Sequence, residues 1–284
     1  MFADKYLFWR ALRPFSFSVA IVVCLTGILA ANADTQINLF IACLILIAGL
    51  LLQAGVNLIN DYSDLSLLSS ELEQQSRQRI HLNFGIGLSC LFVAAVIGLF
   101  LIYQSGWILL LYAVIGLLGA LGYTLEPVNY KRRGLAVFFV FWLMGVLMVT
   151  GAYYALTQQL NLEIFLISVP VSLYTSLLLL SNEIRDFESD SKQGIRTLSV
   201  RVGYETATKL YYLFLVSIFV SAVSLSFVQV ISHSWLVTLS LPVALIPLRY
   251  LDKTAEERIP VTPLTGKAFF LFGALYSVGL LLSV

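Results

Sequence analysis

The chain has 284 residues, 59% of them hydrophobic and 12% charged, with a formal net charge of +1 and a mean hydropathy of +0.90. Soluble domains carry about 25% charged residues, so this composition excludes an ordinary soluble domain and implies a polytopic membrane protein. Cys24, Cys43 and Cys90 lie in apolar runs without metal-ligand spacing, and His81 and His233 stand alone. That pattern argues against a thiolate or imidazole metal centre.

In chain order, Asp4, Lys5, Trp9, Arg10 and Arg13 precede the first apolar run. The first run is therefore expected to stay in the protein as a span. Nine runs approach the ~20 residues needed to cross hydrocarbon. Their approximate limits are 15–33, 37–58, 84–104, 106–124, 135–156, 162–182, 206–231, 233–250 and 264–283. With nine spans, alternate connections face the same side. Arg77 and Arg79 fall between spans two and three, and Lys131, Arg132 and Arg133 between four and five. Arg185, Lys192, Arg196, Arg201 and Lys209 follow span six, and Arg249, Lys253, Arg258 and Lys267 surround the last connection. With Lys5, Arg10 and Arg13, that is every one of the 17 Lys and Arg residues. The other side holds only Asp34 and Glu163 among charged residues. The positive-inside rule then predicts an all-α membrane protein, one domain over 1–284, with a cytoplasmic N-terminus and an external C-terminus.

Two of the cytoplasmic connections open with acids. After span two come Asn57, Asp61 and Asp64, at i, i+4 and i+7. After span six come Asn182, Asp186 and Asp190, at i, i+4 and i+8. If each helix continues, the oxygen-bearing side chains share one face, where like charges repel unless a cation sits between them. Hard divalent ions prefer such donors, so the spacing points to Mg²⁺. Two facing clusters suit a diphosphate, which metal ions and nearby bases would neutralise. The blander reading is solvated helix caps and topology signals, and the bases Arg132, Arg133 and Arg249 fit it well. An ion-coupled transporter also uses intramembrane acids, but these acids sit at helix ends and the repeat is same-side rather than inverted. A CDP-alcohol phosphotransferase would need an Asp-Gly-x-x-Ala-Arg lead that does not occur.

The residues at 9–17 (WRALRPFSF), 57–64 (NLINDYSD), Tyr123–Thr124 with Arg133 and Gly134, and 181–203 (SNEIRDFESDSKQGIRTLSVRVG) resemble the motifs of the UbiA-type intramembrane prenyltransferases. The last stretch is most similar to the branch acting on 1,4-dihydroxy-2-naphthoate. The resemblance implies a nine-helix bundle in the cell (inner) membrane, with its active site facing the cytoplasm. It implies Mg²⁺-dependent transfer of a polyprenyl group from polyprenyl diphosphate to an aromatic acceptor in menaquinone-type biosynthesis, with no nucleic-acid partner. Asn57, Asp61 and Asp64 would hold one Mg²⁺, and Asn182, Asp186 and Asp190 the other. Lys131, Lys192, Arg196, Arg13 and Arg201 would neutralise the diphosphate, and Tyr123 would face the allylic cation. The chain departs from the branch at Leu68 and Ser70, where a further acid is usual, with Glu71 or Glu73 as replacements, and at Ala136–Val137 in the middle loop. These departures leave open another acceptor or an inactive homologue.

Overall fold

A computed structural model of the protein describes residues 6–62, 65, 74–124 and 127–283. Among them every regular element is helical. Seven helices are long and apolar enough to cross a membrane, and two further apolar helical segments are shorter. We number the nine in chain order: α1 (Phe17–Ala30), α2 (Leu39–Asn60), α3 (Gln74–Ser105), α4 (Trp107–Thr124), α5 (Ala136–Thr157), α6 (Leu162–Arg185), α7 (Tyr204–Phe227), α8 (Ser234–Tyr250) and α9 (Val261–Leu281).

Local chemistry sets several of the ends. Asn38 begins α2 by accepting from the Phe40 and Ile41 amides at 3.0 and 3.3 Å. Asn161 begins α6 by accepting from Ile164 at 2.9 Å. These are side-chain N-caps that satisfy otherwise unpaired amides. The least regular of the nine is α8, which alternates between 3₁₀ and α turns. Pro242 and Pro247 explain it, since each removes an amide donor from the ladder.

The helices at the centre are α6 and α1, whose apolar windows are 72% and 61% buried, whereas α3 is 17% buried and faces outward. α6 packs on α5, α7 and α9, while α1 packs on α2, α5 and α9. Lipid tails are as apolar as Leu, so close backbone approach and van der Waals fit replace the hydrophobic drive between helices. Gly145 of α5 lies against Ser172 of α6 so closely that any Cβ there would collide with it. Gly87 of α3 and Gly55 of α2 abut each other's carbonyls in the same way. In the centre, Tyr174 stacks on Phe269 at 4.9 Å and meets Phe272 at 5.1 Å, and Tyr276 continues the column.

α3 begins at Gln74, ten residues before the apolar run at 84, and spans 32 residues. At 1.5 Å per residue it is about 48 Å long, well beyond a ~30 Å hydrocarbon layer. Its polar first turns are held by the N-terminal segment. Ile80 is fully buried beside Tyr6 and Leu65, and the Asn83 amide donates to the Tyr6 carbonyl at 3.1 Å. His81, which precedes the apolar run, is therefore helical, with its ring 5.9 Å from that of Tyr62.

Candidate active site

The C-terminal ends of α2 and α6 and the N-terminal end of α1 meet at one end of the bundle. Arg13 ties two of them. Its backbone lies in the left-handed region at φ 50°, between the short helix Phe8–Ala11 and the turn Pro14–Ser16. The following proline disfavours the right-handed helical region there. This conformation sends the guanidinium to Asp61, the residue that ends α2, with Nη2 donating to Oδ1 at 2.9 Å. Asp61 is buried. The Asn60 amide, turned with its oxygen toward Arg13, accepts from the same guanidinium. Amide orientation is assigned from such partners.

Asn57 has a different environment from the one its spacing predicts. Its amide nitrogen donates to the Leu12 carbonyl and to Ser16 Oγ, both at 2.7 Å, and its oxygen accepts from Gln53 at 3.2 Å. It thus welds α2 to the N-terminal segment, with all its polar atoms engaged. Asp64, Glu71 and Glu73 lie outside the described residues.

The second cluster turns a corner. α6 ends at Asp186, and a six-residue helix, Phe187–Lys192, follows. Arg185 grips the Asp186 carboxylate with Nε at 2.8 Å and Nη2 at 2.6 Å. Asp190 lies one turn on, with Thr197 Oγ1 at 3.5 Å from its Oδ2. Burial, and then the Asp186 charge, push the Asp190 carboxyl up to about 6, against the opposing pull of Lys131 and Arg185. A carboxylate crowded by burial and a like charge is one that a cation would relieve. Asn182, one turn earlier on α6, makes no side-chain hydrogen bond among the described residues.

The middle loop folds back onto the end of α4. The Tyr130 and Lys131 amides donate to the Gly122 and Tyr123 carbonyls at 3.0 and 3.2 Å, and the Tyr130 hydroxyl donates to the Gly119 carbonyl at 2.8 Å. That fold sets the Lys131 ammonium 5.8 Å from the Tyr123 ring centroid. Tyr123 lies within electrostatic reach of Glu183, Arg13 and Asp190. The structure therefore brings Arg13, Asp61, Tyr123, Lys131, Asp186 and Asp190 to one region. Lys192 and Arg196 are exposed. Arg201 donates from Nε to the Arg196 carbonyl at 3.0 Å and from Nη2 to the Arg132 carbonyl at 3.4 Å, joining the tail to the middle loop.

Sequence reasoning missed Glu183. Its side chain is buried, and its Oε2 accepts from the Ser199 amide at 3.2 Å while its carbonyl accepts from Ser199 Oγ at 3.0 Å. It pins the start of the short helix Leu198–Val202 beneath α6 and so positions the basic tail. The signal was its place inside the Asn-x-x-x-Asp run, where it looked like one more solvated acid.

Among the described residues no three His, Cys, Asp or Glu side chains converge closely enough to hold a metal ion. The donor chemistry nonetheless fits a hard divalent cation, because every candidate ligand offers oxygen and Asp186 and Asp190 set two carboxylates one turn apart.

The profile of the UbiA prenyltransferase family matches residues 20–273. The chain belongs to this family. Its UbiA-type relatives include a 1,4-dihydroxy-2-naphthoate octaprenyltransferase of Bacillus subtilis, 25% identical over 98% of this chain and 93% of the relative. A protein of the same name from Haemophilus influenzae is 29% identical over 97% and 96%. The UbiA prenyltransferase domain-containing protein 1 of Mus musculus is 30% identical over 96% and 83%. Among solved structures, a UbiA homolog from Archaeoglobus fulgidus bound to GPP and Mg²⁺ superposes with a TM-score of 0.63 at 17% identity, over 98% of this chain and 99% of that one. A digeranylgeranylglyceryl phosphate synthase also gives 0.63, at 15% identity over 99% of both chains. The all-helical UbiA-type fold and a prenyltransferase activity are thus the chain's own.

Proposed function

We propose that this UbiA-type enzyme transfers a polyprenyl group from polyprenyl diphosphate to an aromatic acceptor of the 1,4-dihydroxy-2-naphthoate class, with Mg²⁺. The observation that carries this reading is the meeting of Asp61, Asp186, Asp190, Lys131 and Tyr123 at one end of the bundle. The names of the relatives support the acceptor class, and the GPP- and Mg²⁺-bound homolog supports the donor and the metal. In this reading the nine apolar segments all span the inner membrane and the site faces the cytoplasm, as the placement of the 17 basic residues supports.

Mg²⁺, when bound, would supply Lewis-acid stabilisation of the departing diphosphate. Asp61, Asp186 and Asp190 would hold the metal, with Asn182 and Asp64 as further oxygen donors. Asn57 supports the site by anchoring α2, since its oxygen is already engaged. Lys131 balances charge on the diphosphate. The bond between prenyl C1 and oxygen breaks, and its electron pair leaves with the diphosphate. The Tyr123 ring face stabilises the allylic cation electrostatically, as a π face does for any cation. A ring carbon of the acceptor then bonds C1. For a dihydroxynaphthoate the same carbon releases its carboxylate as CO₂, and that bond's electrons restore the aromatic ring.

The test uses membranes containing the full chain, a labelled polyprenyl diphosphate, Mg²⁺ and a panel of aromatic acids. A prenylated product that requires Mg²⁺ is expected, and Asp186→Ala or Asp61→Ala should abolish it while the protein is still made. Absence of product with every acid, or uptake of a small solute without prenyl transfer, would sink the reading in favour of an inactive homologue or a transporter.

A further inference from the structure

Among the described residues, the largest fully enclosed side chain is a cation. Arg258, in the connection between α8 and α9, is 2% exposed. Its guanidinium sits 4.5 Å from the Tyr204 ring centroid, its Nη2 donates to Glu188 Oε2, and its Nε is buried with no hydrogen-bond partner. Tyr204 opens α7, donates its hydroxyl proton to the Leu251 carbonyl, and meets the Phe187 ring edge-on at 5.4 Å. One guanidinium therefore joins the last connection, the start of α7 and the helix Phe187–Lys192.

That helix is the one that carries Asp190. Six residues are too few to be stable alone, and it has no side-chain N-cap. Its orientation has to come from its neighbours. Glu188 lies two residues from both Asp186 and Asp190, so on a helix it points away from them, about 160° around the axis. A grip on Glu188 from behind turns Asp190 forward, toward Lys131 and Tyr123. Arg suits the task better than Lys, because its planar guanidinium can stack on the Tyr204 ring while its edge donates to a carboxylate.

We propose that Arg258 is the positioning residue of the second aspartate cluster, acting through Glu188 and Tyr204 to set the rotation of Phe187–Lys192. This rests on the reading of Asp190 as a metal-holding residue in prenyl transfer. Arg258 touches no substrate in this account.

The test uses the purified full chain in nanodiscs, with Mn²⁺ and geranyl diphosphate as probes. Bound Mn²⁺ is read from loss of the free-ion electron paramagnetic resonance signal. Arg258→Gln and Glu188→Gln should each weaken Mn²⁺ binding about tenfold, the usual effect of losing a group that orients a metal ligand. The double variant should be no worse than either single, because both changes break one contact. Arg258→Lys should rescue only in part. Wild-type Mn²⁺ affinity in Glu188→Gln would overturn the proposal, and that variant remains informative if Arg258→Gln fails to fold. If the wild type itself binds no Mn²⁺ with geranyl diphosphate, the functional reading fails, and the clamp is judged on trypsin cleavage after Lys192. Glu188→Gln should speed that cleavage about tenfold, the worth of one charge-assisted hydrogen bond. Unchanged cleavage would overturn the clamp.

Discussion

Arg13 performs two tasks that substitution can separate. Its guanidinium holds the buried Asp61 carboxylate, and its backbone occupies a left-handed conformation that side chains with a Cβ adopt at a cost. Arg13→Ala removes the first and keeps the second; Arg13→Gly removes both. A hydrogen bond to a charged group is worth about 1.5–3 kcal/mol, and the Ala variant should lose about 2, toward the lower end because Arg13 is part-exposed. Glycine escapes a left-handed penalty of about 1–2 kcal/mol but adds about 0.5–1 kcal/mol of chain entropy, so Arg13→Gly should be more stable than Arg13→Ala by about 0.5–1 kcal/mol. The measurement is reversible unfolding in mixed micelles, titrated with a denaturing detergent and followed by far-ultraviolet circular dichroism. Both variants should lose prenyl transfer alike, since both lack the guanidinium. Equal midpoints for the two variants would refute the backbone assignment, and a wild-type midpoint for Arg13→Ala would refute the ion pair as a stabilising contact.

Other changes probe other joints. Glu183→Ala should release the Leu198–Val202 helix, cost about 1–3 kcal/mol by leaving the buried Ser199 amide unpaired, and raise tryptic cleavage after Arg196; an unchanged digestion pattern would count against the tie. Gly145→Ala should drive α5 from α6 at Ser172 and cost about 1–3 kcal/mol of stability, the usual effect of overpacking, whereas Gly85→Ala, inside α3 with open space around it, should cost nothing and raise stability by up to about 1 kcal/mol through helix propensity. Asn57→Ala should loosen the N-terminal segment, detected as faster hydrogen exchange at residues 8–16, and Asn57→Asp should not restore it because the carboxylate cannot donate to the Leu12 carbonyl.

The apolar segments and the arrival of both acid clusters at one end of the bundle were legible in the sequence, because a span needs a long uncharged run and because helices two and six of an up-and-down bundle end on the same side. The Arg13–Asp61 pair was not legible as a pair, since 48 residues separate its members. The start of α3 was hidden because its polar turns lie outside the apolar run and are stabilised by contacts with Tyr6, not by their own periodicity. Asn57 read as a metal ligand from spacing alone, and only the fold of residues 12–16 against α2 reveals its donors to be committed elsewhere. Glu183 and Arg258 looked like ordinary loop charges. Burial marks them out, and burial of a charged side chain near a helix end cannot be read from a single sequence.

α5 contains a π-turn, Phe141–Val146, between two α-helical stretches. A π-turn holds one residue more than an α-turn, so it acts as an insertion absorbed within the helix. Each residue advances an α-helix by about 100°, and the half of α5 beyond the turn is therefore out of phase with the half before it by that amount. The turn itself presents Gly145 to α6, while the half beyond it aims the Tyr153 hydroxyl at Asp34, at 2.6 Å, and receives the Asn161 amide at 3.1 Å. Deleting one residue within Phe141–Val146 would restore a continuous α-helix and swing Tyr153 away from both. The length of this short stretch thus keeps the two ends of the bundle in register with each other, as a spacer washer does on a threaded shaft.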